Sequence, residues 1–261
     1  MSSLPLPMIS VIVPSLNEGE GVIETLERVG RAPGVELILA DGGSTDDTLE
    51  LAGSRGARIV SSSPGRALQM NAGSAEARGD ILLFLHADTL LPKGFQDQVR
   101  RALSQPGVAA GAFRLRFRET RGFLLRLVEC TANWRASCLQ MPFGDQAIFL
   151  TRRTFFEIGG YPQIPLMEDL ELIRRLKRKG RILILPSYVK SSARRYQKDG
   201  TLKRIIINKL VFFGYFLGVS PEKLSGWYRG LPSGSVPHFS QKVDESDQTP
   251  NVKRPEALPP P

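Results

Sequence analysis

Apolar strand-like runs alternate with helix-like stretches along about the first ninety residues, and this alternation leaves few folds open to the chain. Continuous apolar strands separated by helices are typical of a parallel sheet that helices cover on both faces. The patterning predicts strands at 9–14, 36–41, 58–61 and 81–85, and helices at 18–31, 46–55 and 66–78. The predicted fold class is therefore α/β.

The second half of the chain is less regular but continues the mixture. Strands are predicted at 108–117, 147–151 and 182–185, and helices at 123–139, 154–158 and 168–179. A chain of 261 residues suffices for one large domain with a substantial core. We predict an N-terminal extension over 1–7, a single domain over 8–204, an amphipathic and apolar helical segment over 205–230, and a disordered tail over 231–261.

Cysteine usage and the N-terminus bear on the compartment. Cys130 and Cys138 lie in a predicted helix without a CxxC or His-rich cluster, which argues against a zinc site and for a reducing compartment. We expect both to be small buried hydrophobes. The N-terminus, MSSLPLPMIS, lacks the basic and apolar regions of a signal peptide. The sequence therefore predicts a cytoplasmic protein.

Basic residues are concentrated in one block of a chain whose net charge is +9. Residues 174–209 contain thirteen lysines and arginines and one acidic residue, Asp199. Such a block indicates a phosphate-bearing partner, namely a nucleotide, a nucleic acid or anionic lipid headgroups, with a solvated helix face as the alternative. The apolar run over 205–219 is shorter than the roughly 20 residues that span a bilayer. It either lies in the membrane interface, which predicts peripheral attachment to the inner face of the cell membrane, or packs on the domain as a helix.

Polar side chains follow three predicted strands, where parallel α/β sheets bind their ligands. Asp41, in DGGS, can accept hydrogen bonds from a base or ribose, or simply cap a turn. Asp88, in HAD, can supply oxygen to a divalent cation that bridges two phosphates, or cap a turn. Glu168 and Asp169 begin a predicted helix, where either capping or general-base catalysis explains them.

Several other functional classes lack their motifs. The chain has no GxxxxGK[ST] motif, which argues against a P-loop nucleotidase. It also has no GxGxxG after the first strand, which argues against a dinucleotide oxidoreductase. The chain has two histidines, His86 and His238, and so offers few candidates for the catalytic histidine of a Ser–His–Asp hydrolase. A nucleic-acid-binding module would interleave aromatic and basic residues, whereas Phe212, Phe213, Tyr215 and Phe216 follow the basic run. We expect no nucleic-acid partner.

Seven segments, taken in order and spacing, resemble family 2 glycosyltransferases, which have the GT-A fold. They are VIVPSLNE at 11–18, ADGGSTDDT at 40–48, GRALQMNAG at 65–73, LLFLHADTLLP at 82–92, GDQAIFLTRRTFFEIGGYP at 144–162, LMEDLELIRRLKRKG at 166–180 and SSARRY at 191–196. The resemblance implies a Rossmann-like, mixed but mainly parallel sheet flanked by helices in a single domain.

The resemblance also implies a donor pocket. Pro14, Asn17 and Glu18 would frame the base and ribose, Asp41 would hydrogen-bond the base, typically uracil, and Arg66 and Asn71 would flank the nucleotide.

The family's catalytic motifs map onto three further places. Asp88 matches the last residue of the DxD motif, which binds a divalent metal, Mg²⁺ or Mn²⁺, and through it the donor diphosphate. His86 holds the first place of that motif, which in the family usually touches the ribose, and Ala87 holds the second. Asp169, beside Glu168, matches the catalytic base, and Arg194 and Arg195 fall near the site of the departing diphosphate.

The resemblance therefore implies an inverting, hexosyl-type glycosyltransferase that moves one sugar from a nucleotide-diphosphate donor, a UDP-sugar, to a hydroxyl acceptor, including a lipid-linked or hydrophobic one. The QxxRW motif of processive synthases is missing. Two alternatives stay open. A nucleotidyltransferase or sugar-nucleotide hydrolase would have a basic phosphate loop where SLNEGEG is acidic, and the histidine in HAD leaves a catalytically inactive nucleotide-sugar-binding scaffold possible.

Overall fold

A computed structural model of the protein describes residues 6–30, 32–118 and 122–229. Eight strands form one sheet in the order β3-β2-β1-β4-β7-β6-β8-β5. Their bounds are β1 Ile9–Ser15, β2 Val35–Asp41, β3 Arg58–Ser61, β4 Ile81–Phe84, β5 Thr89–Leu90, β6 Val108–Phe117, β7 Phe149–Thr151 and β8 Arg181–Ser191. The tail predicted over 231–261 and most of the extension predicted over 1–7 lie outside the described residues.

Helices cover the sheet on both faces. Their bounds are α1 Ile23–Gly30, α2 Thr48–Gly53, α3 Arg66–Glu76, α4 Phe95–Leu103, α5 Phe123–Leu139, α6 Arg152–Glu157, α7 Glu168–Leu176, α8 Arg194–Asp199, α9 Thr201–Phe216 and α10 Pro221–Arg229. Among the helices of the described ranges, none is both long and apolar enough to cross a membrane. The predicted α/β class and mainly parallel sheet are confirmed.

Strand direction decides which loops meet. β1 pairs in parallel with β2 and β4, and β6 pairs in parallel with β8. β7 lies between β4 and β6 and runs antiparallel to both. The carboxyl ends of β1, β2, β4, β6 and β8 therefore share one edge of the sheet with the amino end of β7. We call this the carboxyl edge.

Two apolar clusters pack on the sheet. Its central strands carry near-continuous buried side chains, and β4 is buried along its whole length, as expected for strands covered on both faces. The ring of Phe149, on β7, lies so close to the backbone of Gly111, on β6, that a side chain at position 111 has no room.

The structure departs from the sequence predictions in three places. β8 continues to Ser191 beyond the predicted end at Leu185, because a register shift against β6 accommodates Pro186, which lacks an N–H to donate. β5, α4 and α8 were not predicted. The expectation that Cys130 and Cys138 are buried is wrong, since α5 buries Leu125, Ala132 and Ala136 on one face and exposes both cysteines.

Candidate active site

The loops after β1 and β2 are tied together at the carboxyl edge. Asn17 has a left-handed backbone (φ 51°), accepts a 2.8 Å hydrogen bond from the Thr45 N–H through Oδ1, and donates its own N–H to Ser44 Oγ at 2.9 Å. Asp41 is buried at the end of β2 and accepts from the Gly43 N–H at 2.8 Å and from Ser44 Oγ at 2.5 Å. These bonds fix the shape of the loops, so Asp41 does cap the turn as one of its two predicted roles.

Pro14, Asn17 and Glu18 follow one another along the end of β1, and Pro14 pairs in register with Ala40, next to Asp41. The N–H of Glu18 donates to Thr48 Oγ1 at 3.0 Å. The structure therefore brings these four predicted pocket residues into one corner of the carboxyl edge.

Asn71 is engaged within the fold. Its Nδ2 donates to the carbonyl of Tyr161 at 2.8 Å, and its Oδ1 accepts from the Tyr161 N–H at 2.9 Å. This paired contact holds the Gly159–Pro162 turn against α3. A direct contact between Asn71 and a nucleotide stays a prediction.

Arg66, at the start of α3, reaches the first turn of α7. Its Nη2 lies 2.7 Å from Glu168 Oε1 and 2.5 Å from Asp169 Oδ2, and both carboxylates are buried. Burial raises the pKa of Glu168 above its usual range, and the Arg66 charge opposes that rise. The sequence prediction placed Arg66 beside the nucleotide, whereas its closest contacts in the structure are the two residues of the ED pair.

The loop before β7 completes the surroundings of Asp169. The Gly144 N–H donates to Asp169 Oδ2 at 3.1 Å. Among the described residues, His86 Nε2, Asp145 Oδ1 and Asp169 Oδ1 are buried side-chain atoms without a hydrogen-bond partner. Burial, with the nearby charges of Arg66 and Arg195, lowers the pKa of His86 well below its usual value. Burial also raises the pKa of Asp145, which the Arg135 charge opposes.

Asp88 follows β4 and faces an arginine of α8. Arg194 Nη2 lies 2.6 Å from Glu18 Oε2, and its Nε lies 3.9 Å from Asp88 Oδ2. The Asp88 carbonyl accepts from the N–H of Ser192 at 3.2 Å and from Arg118 at 2.9 Å, which fixes the loop to the end of β8. Ala87 is buried in one of the apolar clusters, and its contact with substrate stays a prediction.

The residues around Asp88 fit a metal ion only in a limited way. Among the described residues there is no group of three or more His, Cys, Asp and Glu side chains that could hold one. Mg²⁺, however, usually binds proteins through only one or two carboxylates and takes its other ligands from substrate phosphates and water. Asp88 alone therefore fits a site that the phosphates of a bound nucleotide complete.

Sequence reasoning missed Gly144 and Asp145 as site residues. Both stand in the GDQAIF segment, where a charged residue directly before an apolar strand was the available signal. Their place in the site depends on the reversed direction of β7, which brings the start of that strand, rather than its end, to the carboxyl edge.

The glycosyl transferase family 2 model matches residues 10–159, which includes β1 to β7 and the loops that carry His86, Asp88 and Gly144. The chain belongs to family 2 of the glycosyltransferases. It is therefore a transferase enzyme by family, and the match ends before Asp169, Arg194 and Arg195.

Relatives of this family 2 glycosyltransferase agree with the assignment. A PGL/p-HBAD biosynthesis glycosyltransferase from Mycobacterium tuberculosis (strain H37Rv) is 38% identical over 94 residues, which span 33% of this chain and 37% of that protein. The chain thus aligns with little more than a third of that relative's length.

Solved structures share the fold. Glucosyl-3-phosphoglycerate synthase from Mycobacterium tuberculosis, in complex with Mn²⁺, UDP and glucosyl-3-phosphoglycerate, has a TM-score of 0.57 at 24% identity over 78% of this chain and 79% of that chain. A mannosyltransferase from Pyrobaculum calidifontis, in complex with GDP-Man and Mn²⁺, has a TM-score of 0.58 at 21% identity over 71% and 57% of the two chains. The predicted GT-A fold is confirmed.

Proposed function

We propose that this family 2 glycosyltransferase transfers one sugar from a UDP-sugar to a hydroxyl acceptor and inverts the anomeric configuration. The observation that carries the proposal is the state of Asp169. Arg66 and the Gly144 N–H engage its Oδ2. The buried Tyr161 hydroxyl lies beside the same carboxylate, and Oδ1 is left with capacity to accept a further hydrogen bond. A carboxylate held in this way can accept a proton from a substrate hydroxyl.

The donor would occupy the carboxyl edge between the loops after β1, β2 and β4. Pro14, Asn17 and Glu18 would line the ribose and base, and Asp41 would accept a hydrogen bond from the uracil ring. One neighbouring structure holds UDP and another holds GDP-Man. We propose uracil, because it is the base that the family resemblance implies. Arg66, close to the ED pair, would lie between the nucleotide and the acceptor.

Negative charge on the departing diphosphate would be met by a divalent cation held by Asp88 and by the arginines of α8. We assign Asp88 as the protein ligand of Mg²⁺ or Mn²⁺, because solved neighbours contain Mn²⁺ and a carboxylate oxygen suits a hard cation. A bound ion supplies electrostatic stabilisation of the leaving group. Arg194 and Arg195 add charge-assisted hydrogen bonds to the phosphate oxygens, which strengthen as negative charge develops.

The transfer step then follows from the position of Asp169. Oδ1 takes the proton of the acceptor hydroxyl as the hydroxyl oxygen attacks the anomeric carbon. The new C–O bond forms on the face opposite the diphosphate, and the electron pair of the breaking C–O bond leaves with the diphosphate. One displacement of this kind inverts the anomeric centre. Because no QxxRW segment follows, we expect one sugar per encounter.

The acceptor side adjoins an apolar surface. The Phe212 ring of α9 contacts the ring of Phe143, which precedes Gly144, with centroids 6.2 Å apart. The Tyr215 hydroxyl donates to Glu171 of α7 at 3.1 Å. An acceptor with a lipid or other hydrophobic part would therefore reach Asp169 from the α9 side.

The outer face of α9 favours a membrane surface as the neighbour of that acceptor. Its exposed apolar side chains are Leu202, Ile206, Leu210, Phe213, Phe216 and Leu217. Lys203 and Lys209 are exposed on the same helix, an arrangement typical of helices that lie in the membrane interface. The inner face packs on the rest of the protein: a Cβ at Gly214 would meet Leu224 of α10 at 2.9 Å, and Tyr215 bonds to Glu171 of α7. The inner face of α9 therefore fits the interpretation that this segment packs as a helix on the domain. The outer face fits the interpretation that it lies in the membrane interface.

Calorimetry with UDP-, GDP- and dTDP-sugars, with and without Mn²⁺, tests the donor, and NMR of the transferred sugar tests the stereochemistry. We expect the tightest binding for a UDP-sugar with the ion present and an inverted anomeric signal in the product. Release of nucleoside monophosphate and sugar phosphate would support the hydrolase alternative. Formation of nucleoside triphosphate and sugar phosphate when pyrophosphate is added would support the nucleotidyltransferase alternative. Donor binding without transfer to any hydroxyl compound would support the inactive scaffold.

A further inference from the structure

Exposed apolar side chains are concentrated on one group of neighbouring helices. Of the fifteen large apolar side chains that are exposed among the described residues, twelve belong to α5, to α9 with the Leu217 that follows it, and to α10. Single exposed apolar side chains are normal in soluble proteins, whereas a concentration of them marks an interaction site. The proposed function uses only α9 from this group, so the exposed side chains of α5 are still without a role.

α5 presents an apolar face on the side opposite its buried residues. Through Asn133 and Glu129 the helix bonds the backbone of β6, which fixes the side that faces the sheet. The other side exposes 77% of Phe123, 42% of Leu127 and 61% of Trp134. These three residues recur at intervals of four and seven, which places them on one face of an α-helix. α5 is therefore apolar toward the sheet and apolar toward the outside.

α5 and α9 meet beside the loop that leads to Asp169. α9 packs against α5, and the ring of Phe143, just beyond the end of α5, contacts both helices. The Arg135 guanidinium of α5 lies 3.6 Å from the centroid of this ring, and the Phe212 ring of α9 lies 6.2 Å from it between centroids. The next residue, Gly144, donates its N–H to Asp169. Both helices therefore border the loop that contacts the proposed base.

The charges on these two helices match an anionic surface. Arg126 of α5 and Lys203 and Lys209 of α9 are exposed. α9 contains no acidic residue, and the single acidic residue of α5, Glu129, is bonded to β6. A second copy of the chain matches less well, because each face of a two-fold interface meets itself and would bring basic residues against basic residues. An anionic membrane accepts both features, since apolar side chains enter the acyl boundary while basic ones remain at the headgroups.

We propose that α5 and α9 form one membrane-docking face, in which α5 lies in the interface of an anionic membrane with Phe123, Leu127 and Trp134 toward the acyl chains. The inference rests on the membrane contact in the proposed function and adds a second helix to it. One helix alone could roll about its own axis on the surface, whereas two neighbouring helices fix the orientation of the domain. In that orientation the loop at Phe143 and Gly144 lies near the headgroups, where a lipid-linked acceptor presents its hydroxyl.

Tryptophan fluorescence tests the position of α5, because the chain contains only two tryptophans. In a Trp227→Phe variant of the full chain, Trp134 is the single fluorophore. On vesicles of phosphatidylcholine and phosphatidylglycerol, we expect its emission to shift to shorter wavelength and to be quenched by bromine on the acyl chains. If this variant sediments with those vesicles while the emission of Trp134 stays unchanged, the inference is wrong and the membrane contact belongs to α9 alone.

The same substitution at two exposed phenylalanines gives a matched comparison. Phe123→Ser on α5 should weaken binding to the anionic vesicles about tenfold or more, because full burial of a phenylalanine side chain contributes at least that factor. Phe156→Ser on α6 removes a side chain that is 49% exposed away from the proposed face and should leave vesicle binding at the wild-type level. Equal affinities of the two variants would overturn the inference.

Two further outcomes would also overturn it. A dimer of the lipid-free protein in which Trp134 is shielded from acrylamide would show that a second copy covers α5. Failure of the wild-type chain to bind anionic vesicles would remove this inference together with the membrane contact of α9. The transferase function is judged separately, since donor binding and transfer to a soluble hydroxyl compound are measured without vesicles.

Discussion

The guanidinium of Arg66 lies 2.5 Å from Oδ2 of Asp169 across a sequence separation of 103 residues. The same nitrogen lies 2.7 Å from Glu168 Oε1. One cation thus contacts two adjacent buried carboxylates, and it contacts Asp169 through Oδ2 rather than Oδ1. Stability and the proposed base function both depend on this one side chain.

Arg66→Met should destabilise the protein by about 2–3 kcal/mol at neutral pH, because it leaves two buried carboxylates without their counterion. This loss of stability lies at or below the lower end of the losses typical of broken buried ion pairs, because 39% of the Arg66 side chain is exposed. Urea unfolding would measure the loss. Arg153→Met is the matched control, because its partner Glu157 and Arg153 itself are exposed, and it should change stability by about 0.5 kcal/mol or less.

The same variant should show a characteristic pH dependence. Burial already raises the folded-state pKa of Glu168, and removal of Arg66 raises it further. An acid with a raised folded pKa favours the folded state when protonated, so stability falls as the pH rises from its unfolded toward its folded pKa. The loss in Arg66→Met should therefore be larger at about pH 8 than at about pH 5. An equal loss at both pH values would show that the carboxylates do not depend on Arg66.

Asp169→Asn should preserve donor binding while transfer falls roughly 10²-fold or more, the usual cost of losing a general base. Calorimetry with the nucleotide and a transfer assay separate the two effects. Glu171→Gln is the control on the same helix, since Glu171 contacts Tyr215 and Arg174 rather than Arg66, and its turnover should match wild type. Near-normal transfer by Asp169→Asn would move the base elsewhere, with Glu168 the first candidate.

Asp88→Ala should remove the part of donor affinity that depends on Mg²⁺ or Mn²⁺ and leave the fold intact. The carboxylate is the oxygen ligand that we assign to the ion, and its side chain is only 15% exposed in contact with Arg194. Calorimetry with and without the metal gives the comparison. Asp97→Ala, which removes an exposed carboxylate paired with Arg100, should bind as wild type does. Unchanged metal-dependent affinity in Asp88→Ala would exclude this assignment.

Vesicles that contain anionic lipid should sediment the protein in a salt-sensitive manner. Lys209→Glu should weaken this binding by about tenfold or more, given about 1 kcal/mol for each basic residue near such a surface. Lys93→Glu makes the same charge change at an exposed position far from α9 in the chain and should have little effect. Arg204 is unsuitable for this test, because it is buried and paired with Asp199 and Tyr228. Vesicle binding that does not change with salt concentration, or a stable dimer that buries α9, would argue against attachment of α9 to a membrane surface.

The strands were the most predictable part of the fold. β3 and β6 agree with their predicted bounds, as does the helix α5. The two-residue strand β5 carries too little pattern to detect, and Pro186 concealed the continuation of β8. Local periodicity predicts what each segment forms, but it does not contain the pairing of distant segments.

The site shows the same division. Asp41, Asp88 and the ED pair could be singled out because each follows a strand or begins a helix. The contact of Arg66 with Asp169, the double hydrogen bond between Asn71 and Tyr161, and the presence of Gly144 beside His86 arise from long-range packing. Sequence spacing gave no access to these contacts, and the direction of β7 determines the last of them.

The antiparallel direction of β7 has a consequence for how the sequence around such a site can vary. The strands that lead to Asp41 and Asp88 deliver their side chains at the end of a paired segment, where an insertion would shift the residues that follow. The chain reaches Gly144 and Asp145 before β7 begins, in a loop that starts after α5. This loop can gain or lose residues while β7 keeps its register with β4 and β6. One side of the reaction centre can therefore be rebuilt for a different partner while the other side keeps its dimensions.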